Sequence, residues 1–317
     1  MSPRSLPLAL ALCALSACTP AARAPTAPPA QAAAAPAAAA RSAETDVAPC
    51  PLDASAMDGW NDRAPPRRIH GNTYYVGTCG IAAILVVGAE GSILIDGGTE
   101  QAPEAILANI RALGFASEDV EVLLNTHEHS DHAGGFAALQ RATGAPLLAR
   151  AQAVETLRSG KSGRDDPQFG HLTGFPGVAD VRALPADGRV RLGELTLQAH
   201  ATPGHAPGGT SWTWRSCDEA GRCLDIAHVD SHTAISDASY RFGEHPAYVA
   251  DFTDSIDRVA SLPCDLLITP HPIASNLLAR FHGDAPLVDA GACRRFADAA
   301  RRQLQTRLST EAAGDRP

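Results

Sequence analysis

The chain has 317 residues and a formal charge of -9, with 26 basic and 35 acidic side chains. Lys161 is its only lysine, and its arginines form no basic cluster of the kind that binds nucleic acid. The composition therefore argues against a nucleic-acid partner.

The first 18 residues have the composition of an export signal. Arg4 precedes an apolar run over residues 6–15 that is too short to span a bilayer. The run ends in LSAC (15–18), which resembles the lipobox of bacterial lipoproteins, where the cysteine carries a lipid. An ordinary signal peptide cut at a nearby alanine is the alternative. We expect an exported, periplasmic protein, anchored to the outer membrane if Cys18 is lipidated.

Residues 19–49 are almost all Ala and Pro, which predicts a disordered linker. Roughly 270 residues remain from Cys50 onward, enough for one large α/β domain over 50–317. Because an exported chain meets an oxidising compartment, its even set of cysteines is expected to pair. That set is Cys50, Cys79, Cys217, Cys223, Cys264 and Cys293. Cys217–Cys223 is favoured locally, since the residues between them look like a hairpin turn.

The first elements alternate between strands and helices. TYYVG (73–77) and IAAILVVGAEGSILIDGG (81–98) predict strands, with GAEG as a hairpin turn. The spacing of Ile106 and Ile110 predicts a helix over 101–114. A buried strand then leads into a polar cluster, and a helix and a strand follow, over 120–126, 134–144 and 146–150.

A loop rich in Gly, Asp and Pro covers 160–177, and loops of this length are often functional. Three strands, a helix, a strand and a final helix are predicted over 194–202, 209–214, 223–229, 246–262, 264–269 and about 289–308. Two halves, each with hairpin strands followed by α/β units, predict an α/β protein with two packed sheets and helices outside.

The cluster HEHSDH (127–132) has the pattern of a metal site. On extended chain His127 and His129 point to one side, which turns Glu128 away from them. Asp131 and His132 follow where the chain enters a helix, so the four side chains divide between two ions. Loop histidines after strands, His205 and His271, complete six ligands, and such nitrogen and oxygen ligands suit zinc. The remaining histidines are expected to be surface or hydrogen-bonded residues: His70, His171, His200, His228, His232, His245 and His282.

With HEHSDH, LIDGG (94–98), TPGHAPGGTSWTW (202–214) and ITPHP (268–272), the sequence resembles the metallo-β-lactamase superfamily from Cys50 to the last helix. It is similar to subclass B3, because DSHT (230–233) offers a serine where the first subclass has a cysteine ligand. The resemblance implies an αββα sandwich of two mixed sheets packed face to face. It also implies the disulfides Cys50–Cys79, Cys217–Cys223 and Cys264–Cys293.

The resemblance further implies two zinc ions per chain. One would be held by His127, His129 and His205, and the other by Asp131, His132 and His271. A hydroxide that bridges the ions would open the β-lactam amide bond of penicillins, cephalosporins and carbapenems, giving antibiotic resistance. Asp131 would also orient this hydroxide and act as the catalytic residue.

Further roles follow from the same resemblance. Contacts to the small-molecule substrate are expected from Ser231, Thr233 and Gln168, and Asp96 is expected to orient a ligand histidine from behind. The molecule is expected to be a monomer. One departure is His232, which occupies a position that is often apolar in this subclass.

Two alternatives stay open on the sequence. Asp230 also resembles the aspartate that bridges both metals in glyoxalase II-like and lactonase-like relatives, which would imply hydrolysis of lactones, thioesters or phosphodiesters. The second alternative is a non-catalytic exported lipoprotein that binds zinc.

Overall fold

The computed structural model describes residues 47–314. The predicted signal peptide (1–18) and all of the predicted linker (19–49) except its last three residues lie outside this range. Within the described range, no helix is both long and apolar enough to cross a membrane.

The first sheet has seven strands that lie side by side in chain order. They are β1 (Arg67–His70), β2 (Thr73–Tyr75), β3 (Ile84–Gly88), β4 (Gly91–Ile95), β5 (Val120–Leu124), β6 (Leu147–Ala149) and β7 (Val181–Ala183). Pairing is antiparallel from β1 to β4 and parallel from β4 to β7. The predicted GAEG hairpin is confirmed, because Gly88 pairs with Gly91 at the turn between β3 and β4.

The second sheet has five strands in the order β12-β11-β10-β9-β8. They are β8 (Arg189–Leu192), β9 (Leu195–Ala201), β10 (Thr210–Cys217), β11 (Cys223–His228) and β12 (Leu266–Ile268). Only the pairing of β11 with β12 is parallel, so this sheet is also mixed.

The two sheets pack face to face across an apolar core. This core joins Ile84 and Ile93 of the first sheet to Leu197, Trp212 and Ile226 of the second, all buried. Alternate residues of each strand face this core, as period-two alternation requires. The mixed sheets and their packing confirm the predicted sandwich.

Helices cover the outer faces of both sheets. Over the first sheet lie α1 (Pro103–Ala112), α3 (Phe136–Thr143) and α4 (Ala151–Ser159), and over the second lie α5 (Pro246–Ala260) and α7 (Ala292–Ala312). The short helices α2 (Ser130–Ala133) and α6 (Leu277–His282) follow β5 and β12. Two apolar layers outside the sheets complete the α/β/β/α arrangement.

Five elements were not predicted: β1, β7, β8, α4 and α6. The strands have three or four residues with exposed charged side chains, so their alternation is too brief to identify. Neither helix begins with a capping side chain. Helix α7 spans Ala292–Ala312, rather than about 289–308.

Three disulfides join the cysteines in the expected pairs, Cys50–Cys79, Cys217–Cys223 and Cys264–Cys293. The second closes the hairpin of β10 and β11, where the two cysteines are opposite in register. The third joins the start of α7 to the residues just before β12, and so fixes that helix to the second sheet.

Candidate metal centre

Three histidines from two separate turns meet in the interior. His127 and His129 follow β5, whereas His205 lies in the turn between β9 and β10. Their ring centroids are 4.7 Å (His127–His129), 4.9 Å (His127–His205) and 5.0 Å (His129–His205) apart. All three are buried, and one ligand nitrogen from each lies within 4.8 Å of the others. The triangle has the donors and the size of a three-histidine metal site.

A second group of donors lies beside the first. Asp131 Oδ2 is 3.1 Å from His132 Nε2 and 3.2 Å from His271 Nε2. The two Nε2 atoms are themselves 3.3 Å apart. His271 follows β12, so this group also joins residues from the ends of both sheets. Two nitrogens and one carboxylate oxygen thus converge, and the ring of His127 lies 4.3 Å from that of His132.

The local chain path explains the adjacency of these ligands. His129 is extended (φ -78°, ψ 155°) and α2 begins at the next residue, which turns Asp131 and His132 back toward the strand end. The chain then passes so close to its neighbours that a Cβ on Gly135 would lie 2.1 Å from the Gly97 carbonyl oxygen. Only glycine permits this approach, which keeps the short helix against the site.

Each histidine of the first triangle is oriented from behind by an oxygen. His127 Nδ1 is 2.8 Å from Asp230 Oδ1, His129 Nε2 is 2.9 Å from Asp166 Oδ2, and His205 Nδ1 is 2.7 Å from Thr233 Oγ1. Such partners set which ring nitrogen carries hydrogen and leave the other lone pair for a metal.

Asp230 therefore lies behind His127, on the side of the ring away from Nε2. Its Oδ1 atom is held by His127 Nδ1, and Asp230 belongs to neither group of converging ligand atoms. In this arrangement it supports a ligand histidine, as carboxylates in metal sites commonly do.

The donor set fits metal ions. His127 Nε2 is buried and has no protein hydrogen-bond partner, although burying an unpaired nitrogen costs about 1–3 kcal/mol. A metal ion between His127, His129 and His205 would satisfy this atom. Neither group contains the thiolates that a soft-metal site would show, and imidazole with carboxylate suits a divalent ion such as zinc.

The buried environment keeps two imidazoles of the three-histidine group neutral, so that each has a lone pair for a metal ion. Burial lowers the pKa of His127 and of His205 well below the usual value, so both imidazoles are neutral. Burial also opposes the charge of His132, but the carboxylates of Asp131 and Asp96 raise its pKa to about 10. A metal at the second group would therefore displace a proton from His132 on binding.

Asp96 supports the cluster from the end of β4. Its carboxylate accepts hydrogen bonds from the Thr126 amide (2.7 Å) and the Thr126 hydroxyl (2.8 Å), directly before His127. It lies 3.6 Å from His132 Nδ1, beyond a direct hydrogen bond. Its positive φ of 65° is rare for a residue other than glycine. Asp96 therefore holds the chain at Thr126, immediately before the first ligand, and lies close to His132.

Both donor groups open into a cavity of about 550 Å³. Its wall contains the three residues expected to contact substrate, Ser231, Thr233 and Gln168. Gln168 Nε2 lies 3.4 Å from His205 Nε2, so the long loop reaches the metal ligands. The structure therefore brings all nine predicted ligand and substrate-contact positions to one place: His127, His129, Asp131, His132, Gln168, His205, Ser231, Thr233 and His271.

Sequence reasoning did not identify several residues of this wall. Met57 and Trp60 come from the irregular segment before β1, and Phe296 and Gln303 come from α7. His171 and His232, expected to be ordinary histidines, also line the cavity. No local pattern marks these residues, because only the tertiary fold brings them together.

Comparisons with known proteins agree with this geometry. The model of the metallo-β-lactamase superfamily matches residues 76–218. The crystal structure of the metallo-β-lactamase MIM-1 from Novosphingobium pentaromativorans is 51% identical, with a TM-score of 0.80, over 81% of this chain and 94% of that chain. MEM-A1, a subclass B3 metallo-β-lactamase isolated from a soil metagenome library, is 42% identical, with a TM-score of 0.78, over 81% of this chain and 100% of that chain.

A curated relative carries a different activity in its name. The hydroxyacylglutathione hydrolase of Anaeromyxobacter dehalogenans (strain 2CP-C) is 32% identical over 131 residues, or 41% of this chain. The match spans only 40% of that relative's length, so it concerns part of the shared domain. The two solved structures are instead matched over 94% and 100% of their own length. The chain therefore belongs to the metallo-β-lactamase superfamily, as a hydrolase whose structural neighbours include subclass B3 enzymes.

Proposed function

We propose that the chain hydrolyses the β-lactam amide bond of penicillins, cephalosporins and carbapenems. The observation that carries the proposal is the convergence of two metal-ligand groups on one cavity that Ser231, Thr233 and Gln168 also line. Similarity to subclass B3 metallo-β-lactamases supports this substrate class over others.

In this proposal His127, His129 and His205 hold one zinc ion, and Asp131, His132 and His271 hold a second. Zinc supplies a nucleophile at neutral pH, because it lowers the pKa of a water that it binds to about 7. The chain's own part is to fix the donors: Asp230, Asp166 and Thr233 orient one histidine each.

Asp131 has a further role in the proposal. Its Oδ2 atom faces His132 and His271, which leaves Oδ1 to accept a proton from the attacking water. In the metal-free chain this carboxylate is ionised, because the charge of His132 lowers its pKa well below the usual value against the opposing effect of burial. A zinc ion on the same ligands would take over the charge that His132 gives up. Asp131 would then carry the proton toward the amide nitrogen that leaves as the ring opens.

Ser231 and Thr233 would bind the carboxylate of the substrate. When His205 Nδ1 donates to Thr233 Oγ1, the threonine hydroxyl still has its own hydrogen to donate. Ser231 lies two residues away on the same wall, so the two hydroxyls can act together. Gln168 approaches the reacting end of the cavity from the opposite loop.

Hydrolysis of a chromogenic cephalosporin and of a carbapenem tests the proposal. The zinc-loaded domain should turn over both substrates, the chelated domain neither, and two equivalents of zinc should restore the rate. A loaded domain that binds zinc without opening either ring would contradict it.

Thioester hydrolysis is the second candidate, because a hydroxyacylglutathione hydrolase is among the curated relatives. The position of Asp230 behind His127 counts against it, since the alternative requires that residue as a metal ligand. A glutathione thioester, assayed beside the cephalosporin, separates the candidates by which substrate is cleaved.

We also infer that the chain is exported and acts in the periplasm as a monomer, with residues 1–18 as the signal, Cys18 as a lipid anchor and 19–49 as a linker. Three disulfides and the B3 neighbours support export. Cell fractionation locates the full chain, and metabolic labelling with a fatty acid tests the anchor, because only a chain lipidated at Cys18 takes up label that Cys18→Ser abolishes.

A further inference from the structure

The turn that carries His205 has little support of its own. Residues 202–209 connect β9 to β10, and the hydrogen bond from Thr202 N to Gly209 O, at 2.9 Å, closes their two ends. The hydrogen bonds inside the turn, Gly204 N to Ala206 O and Gly209 N to Ala206 O, are longer at 3.3 and 3.2 Å. A ligand histidine on such a turn needs contacts from outside the turn to stay in one orientation.

Two charged side chains supply these contacts at consecutive residues. Glu128 is 2% exposed, and its Oε1 atom accepts a hydrogen bond from the Gly208 amide at 2.7 Å. Arg150, at the start of α4, donates to the carbonyl oxygens of Gly209 at 2.8 Å and Pro207 at 3.3 Å. Hydrogen bonds from an amide to a carboxylate, or from a guanidinium to a carbonyl oxygen, are charge-assisted and stronger than hydrogen bonds between neutral groups.

Packing at Gly208 shows how closely the turn fits against Glu128. A Cβ on Gly208 would lie 2.4 Å from Glu128 Oε2 and 2.6 Å from the Ala153 Cβ. No other residue fits there without moving Glu128 or α4. The turn therefore packs directly against Glu128 and Ala153.

The two charges also act on each other. Burial lowers the pKa of Arg150, and the negative charge of Glu128 is the largest influence that opposes it. The two side chains act on consecutive residues of the turn, Gly208 and Gly209.

We propose that Glu128 and Arg150 are positioning residues that fix His205 relative to His127 and His129 before the metal arrives. Glu128 lies between His127 and His129 in the chain, and its bond to Gly208 ties that segment to the turn that carries the third ligand. The inference rests on the proposed function, in which these three histidines bind one zinc ion. Among the described residues, no hydrogen bond or ion pair joins Glu128 or Arg150 to the second group of ligands.

Zinc affinity of each ligand group, measured separately, tests the inference. In a His271→Ala background only the three-histidine group remains complete, and in a His205→Ala background only the other group retains all its ligands. Competition with a chromophoric chelator then gives a dissociation constant for each. Glu128→Ala and Arg150→Met should each weaken the three-histidine group about 10–100-fold and leave the other unchanged.

Matched controls and a charge variant complete the design. Glu155→Gln and Arg182→Met alter exposed charges nearby and should change neither constant. Glu128→Gln keeps an acceptor for the Gly208 amide, so its loss should be smaller than that of Glu128→Ala.

The outcomes separate this inference from the proposed function. Unchanged affinity in Glu128→Ala and Arg150→Met would overturn the inference alone, as would equal weakening of both ligand groups, which indicates general loosening of the fold. A parent chain that binds no zinc would overturn both.

Discussion

At the scale of single residues, the site depends on oxygens that sit behind the ligands. The hydroxyl of Thr233 lies 2.7 Å from His205 Nδ1, and Thr233 also lines the cavity wall, which is the basis of its proposed contact with substrate. Ser231 shares the wall, and within residues 47–314 its hydroxyl makes no hydrogen bond to a ligand histidine. Neighbouring hydroxyls therefore have separable effects on the metal and on the substrate.

Thr233→Val should lower zinc affinity about 10-fold, because His205 Nδ1 loses the hydroxyl at 2.7 Å and keeps only the Thr233 carbonyl oxygen at 3.2 Å. Ser231→Ala should raise KM and leave zinc content unchanged. Metal analysis after dialysis, together with steady-state kinetics, distinguishes the two variants. Loss of zinc from Ser231→Ala would show that this serine supports the metal.

His271→Ala should remove one of the two proposed zinc ions and reduce turnover by more than about 100-fold, since it deletes a ligand rather than its support. His282→Ala, which changes an exposed histidine on α6, is the control and should do neither. Elemental analysis gives the stoichiometry. Equal losses in both variants would mean that the second ligand group is misassigned.

At the scale of elements, two loops form one wall of the cavity and are joined at Asp237. Its Oδ2 atom accepts the Gly170 amide at 2.7 Å, and its own amide donates to Pro167 O at 2.9 Å. Hydrogen bonds from Ser239 and from the Gly170 amide lower the pKa of Asp237 to about 2. The long loop (160–177) that carries Gln168 is thus fixed to the segment after Ser231.

Asp237→Ala should lower the free energy of unfolding of the metal-free chain by about 2 kcal/mol at pH 7, the range for hydrogen bonds to a charged group. An aspartate whose pKa is lower in the folded chain than in the unfolded chain stabilises the fold fully at pH values above the ordinary aspartate pKa of about 3.9. This contribution is lost as pH falls toward about 2. The two chains should therefore converge in acid, which urea unfolding at several pH values measures. Asp53→Ala, at an exposed site, should match the parent throughout.

Elements with a local signal were predictable, and those without one were not. The apolar run of β5 and the polar cluster after it adjoin in sequence, so HEHSDH could be read as four ligands at a strand end. The partners of those ligands could not, because Asp230 is 103 residues from His127 and Asp166 is 37 residues from His129. A lone aspartate on a loop carries no pattern. Met57 and Trp60 were missed because the segment that brings them to the cavity is irregular.

At the scale of the whole molecule, the ligands are divided between the two sheets. His127 to His132 follow β5 of the seven-stranded sheet, whereas His205 and His271 lie on turns of the five-stranded sheet. An ion that needs ligands from both sheets can bind only the folded chain. Such binding stabilises the folded state by about 4 kcal/mol when the free ion concentration is 1,000 times the dissociation constant.

Removal of zinc by a chelator should therefore lower the Tm by several degrees, and added zinc should restore it. Differential scanning calorimetry of the chelated and reloaded protein measures the shift. The same chelator saturated beforehand with zinc is the control and should have no effect. Identical Tm values for loaded and chelated chains would show that the metal does not link the sheets.

The division of ligands between two sheets affects the number of protein molecules in the cell as well as the stability of each one. A chain that folds with its ions absent opens more often, and opened chains are the ones that proteases cut. Under zinc starvation the number of molecules should then fall, in addition to the activity of each one. Cells that carry the His271→Ala chain should hold less of it even when zinc is plentiful, which immunoblotting of the full-length chain measures.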